Sequence, residues 1–182
     1  MDSPEPRAVA HIDIVPVWKA IDAELGRELV ELWGRTRAIS DAFTAASRSS
    51  QAVCIGRDAE GTIRAVGTAM LRVLPRLQEP LYYYRQYFDP RLRGQGQAVA
   101  FYNRARAVLA DYNAALPVPE SLGVLLEVEN AGLAAHYTLA HIAEADATFI
   151  GYSPRGLQLR VSYFEGARLQ ARPFVRARHR QG

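Results

Sequence analysis

The stretch Arg93-Gly94-Gln95-Gly96-Gln97-Ala98 joins two segments whose side chains follow different periodicities. Before it, Leu81 to Phe88 is dense in aromatic residues, which favours a β-strand. After it, apolar side chains recur at three- and four-residue spacing, which predicts a helix to about Ala115. Two glycines at the mouth of a helix leave unpaired N–H groups at its positive end and let an anion approach closely. The stretch therefore predicts an anion site, with an ordinary glycine-containing turn as the alternative.

The remaining segments alternate between strand and helix patterns, which predicts mixed α/β structure. We see no repeat and no low-complexity linker, so we predict one domain over residues 1–167, followed by a basic tail over residues 168–182. The further predicted strands are Ala8 to Val15, Gln51 to Arg57, Thr62 to Leu74, Gly123 to Val128, Ala143 to Tyr152 and Gly156 to Phe164. The further predicted helices are Ile21 to Arg37 and Ala131 to about Ala140, with a short helix or loop at Asp41 to Ser50.

Length and composition are typical of an enzyme-sized domain. The chain has 182 residues, of which 49% are hydrophobic, and no apolar run approaches the roughly 20 residues that span a membrane. The segment from Met1 to Arg7 lacks the layout of a signal peptide. A single cysteine, Cys54, excludes an intrachain disulfide framework and suits a reducing compartment. These features predict a cytoplasmic protein without a membrane association.

The net charge of +3 is concentrated at the end of the chain. A solvated tail explains this excess better than nucleic-acid binding, because Phe174 is the tail's only aromatic residue for stacking on bases. We therefore expect no nucleic-acid partner. The arginines concerned are Arg168, Arg172, Arg176, Arg178 and Arg180.

The surroundings of the glycine-rich turn resemble the acetyl-CoA signature of the GCN5-related N-acetyltransferases (GNAT), Arg/Gln-x-x-Gly-x-Gly/Ala preceded by Val-x-Pro. Arg93, Gly96 and Ala98 fill the three signature positions, and Phe88 and Pro90 stand for the Val and the Pro. A second block of that family, Leu-x-Val followed by Asn and then Tyr, is similar to a later part of this chain. The matching residues there are Leu126-Glu127-Val128, Asn130 and Tyr137.

This resemblance implies the acyl-CoA N-acyltransferase fold, an α/β fold with a mixed, mostly antiparallel central sheet flanked by helices. It further implies that two central strands splay apart and that the pantetheine arm of acetyl-CoA inserts between them. The backbone of one strand would pair with the arm, the turn would hold the pyrophosphate, and an asparagine would lie beside the arm. The residues that the resemblance assigns to acetyl-CoA are Gln86, Tyr87, Phe88, Arg93, Gly94, Gln95, Gly96, Gln97, Ala98, Val99 and Asn130.

Tyr137 occupies the position of the family's general acid, which protonates the departing CoA thiolate. A tyrosine hydroxyl, with a pKa near 10, can donate this proton and recover it from solvent. The alternative is a helix tyrosine that packs its ring on the sheet. The block departs from the family pattern at Leu133, His136 and His141-Ile142, which weakens the placement of Tyr137.

The attacking amine must also lose a proton, and Glu127 is the candidate base, acting directly or through a water. Glu127 and Glu129 alternate with Leu126 and Val128, so their carboxylates should lie on one face of their strand. A solvated carboxylate at a strand edge is the alternative. The four histidines show no metal-ligand spacing, and we predict no metal site.

Together these observations predict an acyl-CoA-dependent N-acyltransferase. Acetyl-CoA would be its co-substrate, and its partner a small-molecule or peptide amine that attacks directly in a ternary complex. The alternative is a non-catalytic protein of the same fold that acts as a CoA-binding or protein-interaction module. Whether the chain forms a homodimer is left open by the sequence.

Overall fold

The computed structural model describes residues 11–169, in which eight strands form one sheet flanked by four helices. The strand order is β1-β2-β3-β4-β5-β8-β7-β6, and all neighbours are antiparallel except the parallel pair of β4 and β5. The strands are β1 (Asp13–Pro16), β2 (Ala52–Arg57), β3 (Ile63–Val73), β4 (Pro80–Phe88), β5 (Gly123–Glu127), β6 (His141–Ile142), β7 (Ala147–Tyr152) and β8 (Gln158–Tyr163). The helices are α1 (Ala23–Arg35), α2 (Ala42–Ser49), α3 (Ala98–Ala115) and α4 (Ala131–His136). The predicted mixed, mostly antiparallel sheet is confirmed.

Helices cover both faces of this sheet. On one face, α3 packs its buried stripe, including Phe101 and Leu109, against Tyr82 and Tyr84 of β4. On the other face, α1 and α2 cover β2 and β3, with Trp33 of α1 fully enclosed. A three-layer arrangement buries apolar side chains on both faces of the central strands.

Several predicted boundaries needed correction. The segment from Asp41 to Ser50, left open between helix and loop, contains the helix Ala42–Ser49, and the Asp41 carboxylate caps it by accepting a hydrogen bond from the Thr44 N–H at 2.7 Å. The last helix ends at His136 rather than near Ala140, so Tyr137 is its C-terminal cap residue and not a helix residue. The strand predicted from Ala143 begins only at Ala147, because a 3-10 turn precedes it and Asp146 adopts a left-handed conformation. The short strand β6 was not predicted.

Close contact between β5 and β8 requires a glycine at the start of β5. A Cβ on Gly123 would overlap with the backbone carbonyl of Ser162 on β8. This packing holds β5 against β8 along its full length, from Gly123 to Glu127. The position of β5 is therefore set by β8, which matters where β5 leaves β4.

Two predictions about the chain ends lie partly or wholly outside the described residues. The first strand is observed only from Asp13, and residues 8–10 of its predicted range are not described. The basic tail falls outside from residue 170 onward. Among residues 11–169, no helix combines the length and apolarity that crossing a membrane would require.

Candidate active site

The central parallel pair, β4 and β5, separates halfway along its length. Tyr82, Tyr83 and Tyr84 pair with Val124, Leu125 and Leu126, and no pairing of the two strands follows. Beyond this point β4 continues along β3 to Phe88, while β5 continues along β8. The divergence opens a gap in the middle of the sheet, as the motifs predicted.

The register determines which backbone groups face this gap. The Pro80 carbonyl accepts a hydrogen bond from Leu122 beside β5, and the Asp89 N–H donates to Arg64 beside β3. Since successive residues of a strand direct their N–H and C=O groups to opposite neighbours, even-numbered residues of β4 face β5. The backbone groups of Gln86 and Phe88 therefore face the gap, whereas those of Tyr87 face β3. Of the three residues predicted to pair with the pantetheine arm, the register favours these two.

The glycine-rich turn connects the open end of β4 to α3. Gly94 and Gly96 have φ values of 76° and 73°, and a Cβ at either would meet nothing within 4 Å. The side chain of Gln97 forms no capping hydrogen bond at the start of α3. The Arg93 Nε donates to the Phe88 carbonyl at 3.2 Å, and its guanidinium lies 5.5 Å from the centre of the Tyr87 ring. The turn thus places a helix mouth and a cation at the end of the gap.

A cavity of about 230 Å³ occupies the gap on the α3 side of the sheet. The Gln86 side chain links its two walls, since its Nε2 donates to the Ala98 carbonyl at 3.3 Å. Asn130 caps α4, with its Oδ1 accepting from the Leu133 N–H at 3.0 Å. The cavity is lined by Tyr84, Arg85, Gln86, Ala98, Val99, Tyr102, Leu126, Glu127, Val128, Glu129, Asn130, Leu133, Tyr137 and Ala145.

Tyr137 lines this cavity from the end of α4. Burial raises the pKa of its hydroxyl, and the nearby Glu144 carboxylate raises it further. The hydroxyl is therefore protonated at neutral pH, as a proton donor must be. A buried guanidinium holds the backbone of this segment, because Arg160 Nη2 donates to the carbonyls of Tyr137 at 2.8 Å and Leu139 at 3.0 Å. No residue of α4 itself is buried.

Glu127 is the last residue of β5 and Glu129 lies beyond the strand, so their predicted alternation on one strand does not apply, yet one arginine contacts both carboxylates. Both accept hydrogen bonds from Nη2 of Arg155, each at 2.7 Å. The Glu127 side chain is only 7% exposed, and it also accepts a bond from the Tyr83 hydroxyl at 2.6 Å. Although burial opposes ionisation, the hydrogen bonds from Arg155 and Tyr83 lower the pKa of Glu127 to about 2. Glu127 is therefore a carboxylate at neutral pH, tied to a cation in this state.

A second cavity of about 260 Å³ lies on the α1 and α2 side of the sheet. It meets the first at Arg85, Gln86 and Glu129, which line both. The separation of β4 and β5 thus gives access to the same backbone from both faces of the sheet. The second cavity is lined by Trp33, Ala38, Ile39, Arg48, Val66, Thr68, Arg85, Gln86, Tyr87 and Glu129.

No family model and no curated protein matched the sequence. Comparison of the fold with solved structures did find matches. A GNAT-family acetyltransferase from Streptococcus pneumoniae is 10% identical with a TM-score of 0.55, over 85% of this chain and 99% of that one. NAA60 of Arabidopsis thaliana, solved in complex with acetyl-CoA, is 13% identical with a TM-score of 0.55, over 85% and 100%.

The chain has the GNAT fold. A third similar structure, AtaTR bound with acetyl-CoA, is 16% identical with a TM-score of 0.52, over 83% of this chain and 93% of that one. At these identities the likeness shows the GNAT fold and no more. The fold predicted from two short motifs is thereby confirmed, and the roles of the individual site residues stay predictions.

Three residues of the site were missed by sequence reasoning. Arg48, Arg85 and Arg155 approach the gap from α2, β4 and the turn before β8. Arg85 carried a usable signal, because an arginine inside a run of tyrosines must leave the apolar environment or find partners. Arg48 and Arg155 carried none, since their proximity to the gap exists only in the folded chain.

Among the predicted non-catalytic positions, Cys54 is buried as expected, and burial raises the pKa of its thiol to about 11. Such a thiol is inert as a nucleophile at neutral pH. Within residues 11–169, no three His, Cys, Asp or Glu side chains gather as a metal ion would require.

Proposed function

We propose that this chain is an acetyl-CoA-dependent N-acetyltransferase that transfers the acetyl group directly to an amine. The observation that carries the proposal is the divergence of β4 and β5 beside the mouth of α3. It leaves the backbone groups of Gln86 facing a cavity, next to a helix start without a side-chain cap. Such a site can bind an extended thioester arm through backbone hydrogen bonds and its phosphates through the N–H groups at the helix start.

The residues present fit acetyl-CoA in two respects. The N–H and C=O groups of Gln86 can pair with the amides of a pantetheine arm in the manner of a β-strand, which would satisfy groups that lack a strand partner there. The N–H groups at the start of α3, together with the Arg93 guanidinium, provide positive charge for a pyrophosphate. Two of the structural neighbours, NAA60 and AtaTR, were solved with acetyl-CoA.

The chemistry asks three things of the protein. An amine nitrogen attacks the thioester carbonyl carbon, the C–N bond forms and the C–S bond breaks. A backbone N–H of β4 facing the gap would stabilise the negative charge that develops on the carbonyl oxygen. Tyr137 would give its proton to the departing thiolate. The proton of the attacking amine would pass to Glu127, directly or through a water.

Glu127 can take this proton only weakly while Arg155 is bound to it. A carboxylate with a pKa of about 2 has little affinity for a proton from an ammonium group. Arg155 is 57% exposed, so it can leave without breaking buried packing. The proposal therefore includes displacement of Arg155 when the acceptor binds, which raises the basicity of Glu127.

Calorimetric titration with acetyl-CoA tests the proposal, with Gly96→Trp as the disrupting variant. An indole at this position would fill the helix mouth, so affinity should fall roughly 100-fold or more as charge-assisted hydrogen bonds to phosphate are lost. Gly166→Trp is the matched control. Gly166 also has a positive φ, 71°, and open space around it, yet it follows β8 at the opposite end of the sheet from the turn.

Normal binding of acetyl-CoA by Gly96→Trp would show that the turn is not the cofactor site. Absence of binding by the native chain would reject the proposed function altogether. Tight binding without turnover of any amine in a broad panel would support a CoA-binding module instead.

A further inference from the structure

Two arginines of the second cavity lack a carboxylate partner. Arg48 from α2 and Arg85 from β4 line the same cavity, and neither forms an ion pair with an acidic side chain of residues 11–169. The Nε of Arg85 is buried without a hydrogen-bond partner among those residues. Burial lowers the pKa of Arg48, and the like charge of Arg85 lowers it further. Two guanidinium groups thus share a confined space.

Other buried or partly buried arginines have acceptors supplied by the fold, as Arg160 has in the carbonyls of Tyr137 and Leu139. Arg57 binds both carboxylate oxygens of Glu28, at 2.7 and 2.9 Å, and Arg64 binds Asp58 at 2.6 Å. Removing a guanidinium from water is costly unless an anion or several acceptors replace the water. Within residues 11–169, the one hydrogen bond of this arginine pair runs from Arg85 Nη2 to the Tyr83 hydroxyl at 3.1 Å. The pair therefore points to an anion that these residues do not supply.

The remaining walls of the cavity limit what this anion belongs to. Trp33, Ile39 and Val66 provide apolar surface, and Glu129 provides a carboxylate where the two cavities meet. A volume of about 260 Å³ is small for a ligand site, since drug-sized pockets begin near roughly 300 Å³. The occupant is therefore a small molecule with an apolar body, an anionic group and a group attracted to Glu129.

We infer that the second cavity is the acceptor site and that Arg48 and Arg85 bind an anionic oxygen group of the acceptor amine. The acceptor is accordingly an amino acid, or its phosphonate analogue, with an apolar side chain. The planar fork of an arginine matches carboxylate and phosphonate oxygens. The amino group lies toward Glu129 and the gap, where the thioester would be presented. This inference rests on the proposed function for its second substrate.

The first test compares acceptors that differ only in the anionic group. Alanine, leucine and phenylalanine are each assayed as the free acid and as the carboxamide, with the 1-aminoalkylphosphonate of leucine added. Thiol release from acetyl-CoA gives kcat/KM. We expect the free acids to exceed the carboxamides roughly 10- to 100-fold, the effect of a charge-assisted hydrogen bond. A phosphonate that exceeds leucine itself would identify phosphonate as the preferred group.

The second test needs no turnover. N-acetyl-leucine and N-acetyl-leucinamide are titrated by calorimetry into the native chain with CoA present, so that the basicity of the amine plays no part. We expect the acid to bind roughly 10- to 100-fold more tightly than the amide.

Three variants connect this preference to the cavity. Arg48→Gln should remove most of the preference for the acid and leave the affinity for acetyl-CoA unchanged, because Arg48 lines only the second cavity. Arg85→Gln should also remove most of the preference, and its affinity for acetyl-CoA is measured separately because Arg85 lines both cavities. Arg76→Gln is the control, because it removes the same charge from an exposed position that lines neither cavity. Arg48 lies on α2 and Arg85 on β4, so one variant remains informative if the other fails to fold.

Equal binding of N-acetyl-leucine and its amide by the native chain would overturn the inference. So would a preference that persists in both Arg48→Gln and Arg85→Gln. If acetyl-CoA binds and amines are acetylated without regard to their anionic group, the inference fails while the proposed function stands. If acetyl-CoA does not bind, the proposed function fails, and the titration with N-acetyl-leucine still reports on the arginine pair.

Discussion

The two halves of β4 both contain aromatic residues and differ in their surroundings. Tyr82, Tyr83 and Tyr84 have strand neighbours on both sides and are at most 3% exposed. The half from Arg85 to Phe88 keeps β3 as its only strand neighbour and is partly exposed throughout. Aromatic residues occur in both halves, while Arg85 and Gln86 occur only in the second. The loss of one neighbouring strand turns a structural segment into a surface where a ligand can bind.

The largest expected effect is on catalysis in the cavity beside the Arg85 to Phe88 half of β4. If Tyr137 is the acid, Tyr137→Phe should lower kcat by roughly 10²- to 10⁴-fold, the usual range for a lost general acid. Affinity for acetyl-CoA should hardly change, since the hydroxyl acts when charge develops on sulfur. Steady-state kinetics with an accepted amine and calorimetry measure the two quantities.

Tyr152→Phe is the control for this substitution, because Tyr152 is an exposed tyrosine that lines neither cavity. Full activity of Tyr137→Phe would exclude Tyr137 as the acid.

A stability experiment on two tyrosines compares the halves directly. Tyr82 is fully buried, so Tyr82→Ala should cost about 3–5 kcal/mol, as truncation of a large core side chain does. Tyr87 is only partly buried, so Tyr87→Ala should cost clearly less. Urea denaturation of both variants gives the two free energies of unfolding. Equal losses would mean that the half from Arg85 to Phe88 is as important for stability as the half from Tyr82 to Tyr84.

One hydrogen bond connects β4 to β5 at the point where the two strands separate. The Tyr83 hydroxyl of the paired half donates to the Glu127 carboxylate at 2.6 Å, where β5 has left β4. Tyr83→Phe should cost about 1.5–3 kcal/mol, the range for a hydrogen bond to a charged group. Tyr163→Phe, at a more exposed tyrosine, is the control in the same denaturation assay. A loss no greater than that of the control would show that the bond contributes nothing.

The smallest expected effect is the pH dependence contributed by Glu127. Its pKa is about 2 in the folded chain and 4.5 ordinarily, so folding favours the carboxylate. The resulting stability is complete above about pH 4.5 and is lost as the pH falls toward 2. We expect this loss to be about 1 kcal/mol, because solvent screens the exposed Arg155.

Denaturation of Glu127→Gln and of the native chain between pH 6 and pH 2.5 measures this contribution. The advantage of the native chain should shrink over this range. A constant difference would mean that Glu127 titrates with an ordinary pKa.

The elements that sequence predicted well are those with a strong local pattern. The strand and helix on either side of Arg93–Ala98, and the hairpin around Asp58 to Gly61, were found within about two residues of their predicted bounds. Hydrophobic periodicity, glycines and turn residues determine structure over a few neighbouring residues, so these elements can be predicted from the sequence alone. The divergence of β4 and β5 could be predicted only from the resemblance to a family, because no residue pattern within either strand indicates where the two strands separate.

The site residues that were missed depend on long-range packing. Arg48 and Arg85 are 37 positions apart in the sequence and meet only because α2 lies over the Arg85 to Phe88 half of β4. The early end of α4 was missed for a related reason. The carbonyls that follow it are held by Arg160 of β8 rather than by continuation of the helix.

The Arg160 guanidinium has a consequence for how the segment that ends at Tyr137 can change during evolution. Because α4 buries none of its own residues, substitutions along it remove little packing. The backbone at Tyr137 is anchored from β8, so an exposed neighbour such as His136, which lines neither cavity, can be replaced while the tyrosine keeps its position. Departure of this helix from the family pattern is then a poor guide to whether Tyr137 keeps its position. The residue whose replacement should displace Tyr137 is Arg160, which belongs to neither motif.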